Sequence, residues 1–195
     1  MMTREFSDFN SVRAMAKSYL INDILKLSPD DLLAGFAKLF AYRVANKRQY
    51  FSKLYSIDTW GGIESELHIY FRETLSEDPH QIFLANIRKA GFEGVVETLR
   101  GTSWNSFQHV QEQVDLIFLD ADHEYEAVVR DLFACRNSLR EDSLLFGHDF
   151  ANRDRWPGVE LAVKNFVKYY GVQGNIWVAE SQGIKHLQSL PPYEA

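Results

Sequence analysis

The segment Val114-Asp-Leu-Ile-Phe-Leu119, followed at once by Asp120-Ala-Asp-His123, constrains this chain more than any other. All its residues but Asp115 are apolar. A strand apolar on both faces needs cover on both faces, which the interior of a parallel sheet flanked by helices provides. The abrupt change to Asp120 marks the strand end.

The neighbouring segments repeat the theme. Lys53–Asp58 reads as a short strand ending in Asp-Thr-Trp-Gly-Gly. A helical stretch follows and stops at Ala90-Gly91, where glycine suits a left-handed C-terminus. Gly94–Arg100 reads as a strand followed by Gly101-Thr102-Ser103. Glu124–Leu139 is expected as a helix and Ser143–Gly147 as another apolar strand. Pro157–Tyr170 is expected as a helix opened by proline and stopped by Gly171. Asn175–Glu180 and Ile184–Gln188 read as two closing strands with a Ser-Gln-Gly link, too short for a parallel crossover. The alternation predicts an α/β fold: a Rossmann-like, doubly wound, mostly parallel sheet with an antiparallel C-terminal edge strand.

The first 50 residues differ. Ser28-Pro29-Asp30-Asp31 is a strong helix start, with a hydroxyl cap, a proline in the first turn and two acids at the positive dipole end. Leu32, Leu33, Phe36, Leu39, Phe40 and Val44 keep helical spacing, and an earlier helix is expected from about Asp8 to Lys26. The 195 residues are read as one domain, with a helical segment over 1–50 and the sheet-containing core over 51–190.

The formal net charge is −6, which argues against a non-specific nucleic-acid binder. The basic stretch from Lys38 to Lys53 is read as a solvated helix C-terminus. The single cysteine, Cys135, can form neither an internal disulfide nor a multi-thiolate metal site and is expected as a buried apolar residue. No segment has the pattern of a signal peptide or a membrane span, so the expected location is cytoplasmic.

In open α/β sheets ligands bind beyond the carboxyl ends of the strands. Those ends deliver Asp58, then Gly101 and Ser103, then Asp120, Asp122 and His123, then His148 and Asp149. Asp58 is either an acceptor for ribose hydroxyls or a turn residue. Gly101 allows close approach of a ligand to the backbone, and Ser103 is read foremost as a helix cap. Asp120 and Asp122, with Asp149 on the next strand, are candidates to hold a hard divalent cation through oxygen. His123 and His148 are candidate general bases because imidazole titrates near neutrality. The competing role of Asp122 is to cap the helix at Glu124. His68, His80, His109 and His186 are read as structural or solvated. Trp60, Trp104 and Trp156 lie near strand ends, where they either wall a pocket or pack. The loop Asn152–Trp156 is a candidate acceptor cover.

Taken in order, Tyr55-Ser-Ile-Asp-Thr-Trp, Phe83-Leu-Ala-Asn-Ile-Arg-Lys-Ala-Gly, Val96-Glu-Thr-Leu-Arg-Gly-Thr-Ser, Val114–Leu132, Leu144-Leu-Phe-Gly-His-Asp-Phe and Pro157-Gly-Val-Glu-Leu-Ala-Val resemble class I S-adenosylmethionine-dependent methyltransferases of the group called methyltransferase family 24. The resemblance spans roughly residues 50–190. It implies that Asp58 binds the cofactor ribose and that Gly101, Thr102 and Ser103 lie near the adenine. It implies that Asp120 sits beside the methionine part or a metal, that Asp120 and Asp149 bind Mg2+, and that His123 is the base. The implied reaction is O-methylation of a small metabolite.

The chain departs from that pattern before Asp58. Residues Leu25–Leu39 contain one glycine, Gly35, inside a helical pattern, and no glycine-rich turn after a strand. Three explanations stay open: the loop has diverged and still binds, the first strand and glycine loop are missing from a truncated or remodelled relative, or the fold is kept without methyl transfer. In the second case the two N-terminal helices, or a partner subunit such as a second copy of the chain, would cover the exposed sheet edges. Two other readings compete: a non-catalytic binding or scaffolding descendant, and a metal-dependent hydrolase using Asp120, Asp122, His123 and Asp149.

Overall fold

The computed structural model describes residues 53–61, 78–89 and 91–193. The two helices expected at the N-terminus, Gly35 and the Leu25–Leu39 segment fall outside the described residues, as does His68.

The first strand, β1 (Leu54–Asp58), is followed by α1 (Pro79–Lys89) and β2 (Val96–Arg100). β1 and β2 pair in parallel, with Leu54 opposite Val96 and Asp58 opposite Arg100. Gly91 takes φ +79° just beyond α1, as expected of a left-handed stop, and the amide of Phe92 donates to the carbonyl of Ile87. A short helix α2 (Ser103–Ser106) and a 3-10 turn (Phe107–His109) lead to β3 (Val114–Leu119). Then come α3 (Tyr125–Cys135), a 3-10 turn (Arg136–Ser138), β4 (Leu139–Gly147), α4 (Pro157–Phe166), β5 (Tyr170–Gln173), β6 (Ile176–Ala179) and α5 (Ser181–Ser189).

The second sheet has the order β3-β4-β6-β5. β3 and β4 are parallel, while β6 runs antiparallel to both its neighbours. The chain's last strand is thus antiparallel, but it lies one place in from the edge, and β5 takes the edge. Among the described residues no strand joins β1 to β3.

The interior forms where α3, α4 and α5 cover this second sheet. Trp177, Leu132, Leu145, Ile184 and Leu187 are fully buried there. β6 is buried along its whole length. Cys135 is buried in this core, and burial pushes its thiol pKa upward, as suits an inert apolar filler.

The structure corrects three expectations near the C-terminus. Ile184–Gln188 is not a strand but part of α5, with Ile184 and Leu187, three residues apart, both turned into the core. Gly183 in α5 lies so close to the chain before β5 that a Cβ there would meet the Tyr169 carbonyl oxygen at 2.2 Å. The closing hairpin is instead β5–β6, turned at Gly174 with φ +57°. Finally, α4 ends at Phe166 rather than at Tyr170. Lys168, at φ +61°, makes the left-handed exit, which leaves Gly171 inside β5. Among the described residues no helix is long and apolar enough to cross a membrane.

Candidate functional site

The parallel pairing of β3 and β4 sets Leu119 opposite Gly147. The next residues of each strand, Asp120 and His148, therefore leave the sheet side by side. The His148 amide still donates to the Leu119 carbonyl at 3.1 Å, which fixes this exit. Gly147 is required by packing, since a Cβ there would fall 2.6 Å from the Leu119 carbonyl oxygen and 2.7 Å from Trp177 Nε1.

Asp149 is buried and adopts φ +57°. Aspartate tolerates this left-handed conformation better than most residues, yet it remains a strained choice, of the kind found where a side chain must be aimed. One carboxylate oxygen, Oδ1, accepts from Asn152 Nδ2 at 3.3 Å. The other, Oδ2, lies 2.7 Å from His123 Nε2 and 3.1 Å from His148 Nδ1.

His123 reaches the same place from the β3–α3 loop. Its Nε2 is 3.7 Å from Asp120 Oδ1, and His148 Nδ1 is 3.8 Å from that oxygen. The loop is held at both ends. Asp122 Oδ1 accepts from the Glu124 amide at 3.0 Å, a turn contact that fixes the chain just before α3. Gly158 at the start of α4 packs on the loop's backbone, where a Cβ would lie 2.5 Å from the His123 carbonyl oxygen. Trp156 stacks on the imidazole of His123.

The carboxylate of Asp120, with Asp149 beside it, holds the His123 imidazole above its ordinary pKa, and burial works against that rise. Both nitrogens of His123 are buried without a hydrogen-bond partner. Nε2 stands close enough to Asp149 for an ion pair but is misaligned for a hydrogen bond. Asp120, His123 and Asp149 each offer one ligand atom, all within 4.8 Å of one another. This donor set fits a divalent cation: two carboxylates, and an imidazole nitrogen whose bonding capacity is unspent. A cleft open to solvent borders the cluster and is lined by Asp120, Asp122, His123, Asp131, His148 and Trp177, among others.

The other expected ligand-binding residues sit at the ends of β1 and β2. Asp58 is exposed, and its Oδ1 accepts from the Trp60 amide at 2.6 Å, a turn contact that leaves its other oxygen available. Trp60 takes φ +50° and lies against His80, with ring centroids 4.1 Å apart. His80 Nε2 is 3.1 Å from Thr98 Oγ1, a structural role as expected. Gly101 follows β2, and its amide donates to the Asp58 carbonyl at 2.8 Å. Thr102 is the N-cap residue of α2, but its hydroxyl makes no cap bond and is buried without a partner. That unspent hydroxyl, with the exposed carboxylate of Asp58, suits a polar ligand lying along these strand ends.

Ser103 differs from its expected role. It is not the cap but the first residue of α2, and its hydroxyl donates to Asp131 on α3. Asp131 was invisible as a site residue in the sequence, where it reads as an ordinary helix acid. It is buried, lines the cleft, and its pKa is pushed up to about 6 by burial, with the charge of Asp122 adding and the Ser103 hydroxyl opposing. Asn152, which orients Asp149, was missed for the same reason. The only available signal for it was its place in the loop Asn152–Trp156.

A polar cluster beyond the carboxyl ends of adjacent parallel strands lies where open α/β sheets bind ligands. The family model described as "Methyltransferase domain" matches residues 33–150, more than half of the chain, and the chain belongs to that family, of the S-adenosylmethionine-dependent class I type. Among solved structures, that of CalS11, a calicheamicin methyltransferase, aligns with a TM-score of 0.51 at 12% identity, over 92% of this chain and 98% of that one. An apo structure of CalS11, described as a TDP-rhamnose 3'-O-methyltransferase, aligns at 15% identity and a TM-score of 0.48, over 72% of this chain and 64% of that chain. The O-methyltransferase from Bacillus cereus in complex with SAH aligns at 16% identity and a TM-score of 0.48, over 89% of this chain and 90% of that chain. Among curated proteins no relative matches this sequence.

Proposed function

We propose that this chain, acting as a single cytoplasmic domain over 1–195, transfers a methyl group from S-adenosylmethionine to a hydroxyl of a small metabolite. The observation that carries the reading is the convergence of Asp120, His123, His148 and Asp149 within 2.7–3.8 Å beyond β3 and β4. This is acid–base machinery at the edge of the sheet where the fold binds ligands.

When bound, S-adenosylmethionine supplies an electrophilic methyl group on a sulfonium. The exposed Asp58 carboxylate would accept from the ribose hydroxyls, and Gly101 and the free Thr102 hydroxyl would lie along the adenine. Ser103 contributes only backbone there, because its hydroxyl is engaged by Asp131. Asp120 stands between the cofactor and acceptor sides. A divalent cation such as Mg2+ held by Asp120 and Asp149 would polarise the acceptor hydroxyl and lower its pKa. An imidazole of the cluster, His123 or His148, takes the proton as the acceptor oxygen becomes nucleophilic. Trp156 and the rest of the Asn152–Trp156 loop flank the acceptor side and keep water from the nucleophile. The net charge of −6 fits a small-molecule acceptor and no nucleic-acid partner.

Calorimetric titration of the full chain with S-adenosylhomocysteine tests this reading. Saturable binding is the expected result, and no heat at millimolar ligand would overturn it.

A further inference from the structure

Four donor atoms meet beyond β3 and β4. Asp149 Oδ2 lies 2.7 Å from His123 Nε2 and 3.1 Å from His148 Nδ1. Asp120 Oδ1 lies 3.7 Å and 3.8 Å from the same nitrogens. Donors held about 2.1 Å from one ion stand about 3.0 Å apart along an octahedral edge and about 3.4 Å along a tetrahedral one. The two separations that involve His123, 2.7 and 3.7 Å, bracket both values, and Asp120, His123 and Asp149 each offer a donor atom within 4.8 Å of the other two.

His123 stands apart from His148 on three counts. The nitrogen it turns to the carboxylates, Nε2, is itself buried without a hydrogen-bond partner and lies 2.7 Å from Asp149 Oδ2, whereas His148 faces them with Nδ1 at 3.1 Å and its buried, partnerless nitrogen is Nε2. Its ring is braced on one face by Trp156. Its loop is pinned by the turn contact of Asp122 with the Glu124 amide and by the close packing of Gly158. A general base has to meet the acceptor and exchange its proton. A nitrogen buried in a fixed ring and aimed between two carboxylates is better placed to coordinate. Asn152 strengthens the arrangement by occupying Asp149 Oδ1, which leaves Oδ2 for the centre of the cluster.

We infer that His123 is a metal ligand, that Asp120, His123 and Asp149 form a mixed nitrogen–oxygen site, and that this site takes a first-row transition ion such as Mn2+, Co2+ or Zn2+ in preference to Mg2+. Mg2+ is hard, favours oxygen and keeps several waters, whereas imidazole raises affinity for transition ions along the Irving–Williams order. The inference rests on the reading of these strand ends as a cation-assisted methyl-transfer site and gives His123 the task of coordination there.

The test uses the full chain, stripped of metal with a chelator. Mn2+ and Mg2+ are titrated separately by calorimetry, and bound Mn2+ is examined by pulsed electron paramagnetic resonance for modulation by a directly bound imidazole nitrogen. The expected result is binding of Mn2+ roughly ten-fold or more tighter than Mg2+. Nitrogen modulation should appear in the wild type and in His148→Gln and disappear in His123→Gln. If His123→Gln does not fold, His148→Gln prepared with 15N-labelled histidine asks the same question: a nitrogen signal of histidine origin supports the inference, and none overturns it. Equal affinity for the two ions, modulation that survives His123→Gln, or no ion bound at millimolar concentration would each overturn it. Binding of S-adenosylhomocysteine by the same wild-type sample separates the failures. A protein that binds it but holds no imidazole-bound ion loses this inference and keeps the methyl-transfer reading. A protein that binds the ion through His123 but not S-adenosylhomocysteine keeps the inference and loses that reading.

Discussion

Trp156 lies nearly flat against the imidazole of His123, with ring centroids 4.6 Å apart and planes 23° from parallel. The two residues come from different loops, so the stack ties the end of β3 to the start of α4. Arg155 places its guanidinium 5.1 Å from the centre of the Trp156 ring and continues the layer outward. Trp156→Ala should cost about 1–3 kcal/mol of stability, of which roughly 0.5–1.5 kcal/mol is the stacking itself. Trp156→Phe should recover most of it. Urea unfolding measures the cost, and the ring protons of His123 report the contact directly through their upfield ring-current shift. Unmoved His123 resonances in Trp156→Ala would mean that the stack does not persist in solution.

Gly158 controls the same loop from below. A Cβ at this position would lie 2.4 Å from the Tyr125 amide nitrogen and 2.5 Å from the His123 carbonyl oxygen, and both neighbours are backbone that cannot rotate away. Gly158→Ala must therefore push α4 from the β3–α3 loop. The expected penalty is about 1–3 kcal/mol or more, with weakened divalent-cation binding because His123 moves with its carbonyl. Thermal unfolding and calorimetry check the two effects. A variant as stable as wild type would show that the helix and loop are less tightly joined than the structure has them.

Asp58 carries two roles that substitution can separate. Its carboxylate holds the Trp60 amide at 2.6 Å in a turn where Trp60 has φ +50°, and its second role is the proposed one toward the cofactor ribose. Asp58→Asn keeps an oxygen for the turn and loses the charge and one acceptor, while Asp58→Ala loses both. Asp58→Ala should weaken S-adenosylhomocysteine binding by about 1–3 kcal/mol, and Asp58→Asn by a smaller amount, at little cost in stability. Wild-type affinity in both variants would leave Asp58 with the turn alone.

How far the sequence reveals this molecule depends on whether the determining contacts are local. Val114–Leu119 was legible to the residue, because burial on both faces demands an apolar run and the acid at 120 ends it. The alternation of such segments with helices also placed Asp120, His123, His148 and Asp149 at one edge, since parallel strands with helical crossovers deliver their ends to the same side. Ile184–Gln188 was misread because five residues with apolar positions at 184 and 187 do not separate period two from period three, and the packing of Gly183 that decides the matter is tertiary. Ser103 and Asp131 were missed as a pair because their contact spans 28 residues between two helices. A buried aspartate has no mark in the sequence when the group that satisfies it is so distant.

Asp131 makes its own contribution to the pH dependence of stability. The carboxyl is buried and its folded pKa is raised to about 6, chiefly by burial, while the unfolded chain titrates near its ordinary value of about 4. Below about pH 4 the group is protonated in both states and adds no slope. Between about pH 4 and 6 the folded protein keeps a proton that the unfolded chain has released, so stability falls as pH rises. Above about pH 6 the folded state holds a buried charge, and the accumulated loss is roughly 3 kcal/mol for a two-unit shift. His123, whose pKa is raised, adds a separate loss that begins only above its unfolded value near 6.5. Asp78 and Glu160, whose pKa values are lowered by cationic partners, act in the opposite sense and lose stability as pH falls. Comparing wild type with Asp131→Asn cancels these shared terms. The amide keeps the shape and an oxygen for the Ser103 hydroxyl but cannot ionise. Urea unfolding in the presence of chelator should find the two proteins close to equal at pH 4, with the variant pulling ahead by up to roughly 3 kcal/mol at pH 8. Parallel stability curves across that interval would mean that Asp131 is not held protonated by its surroundings, and that the Ser103 hydroxyl or solvent supports its charge well enough to offset burial.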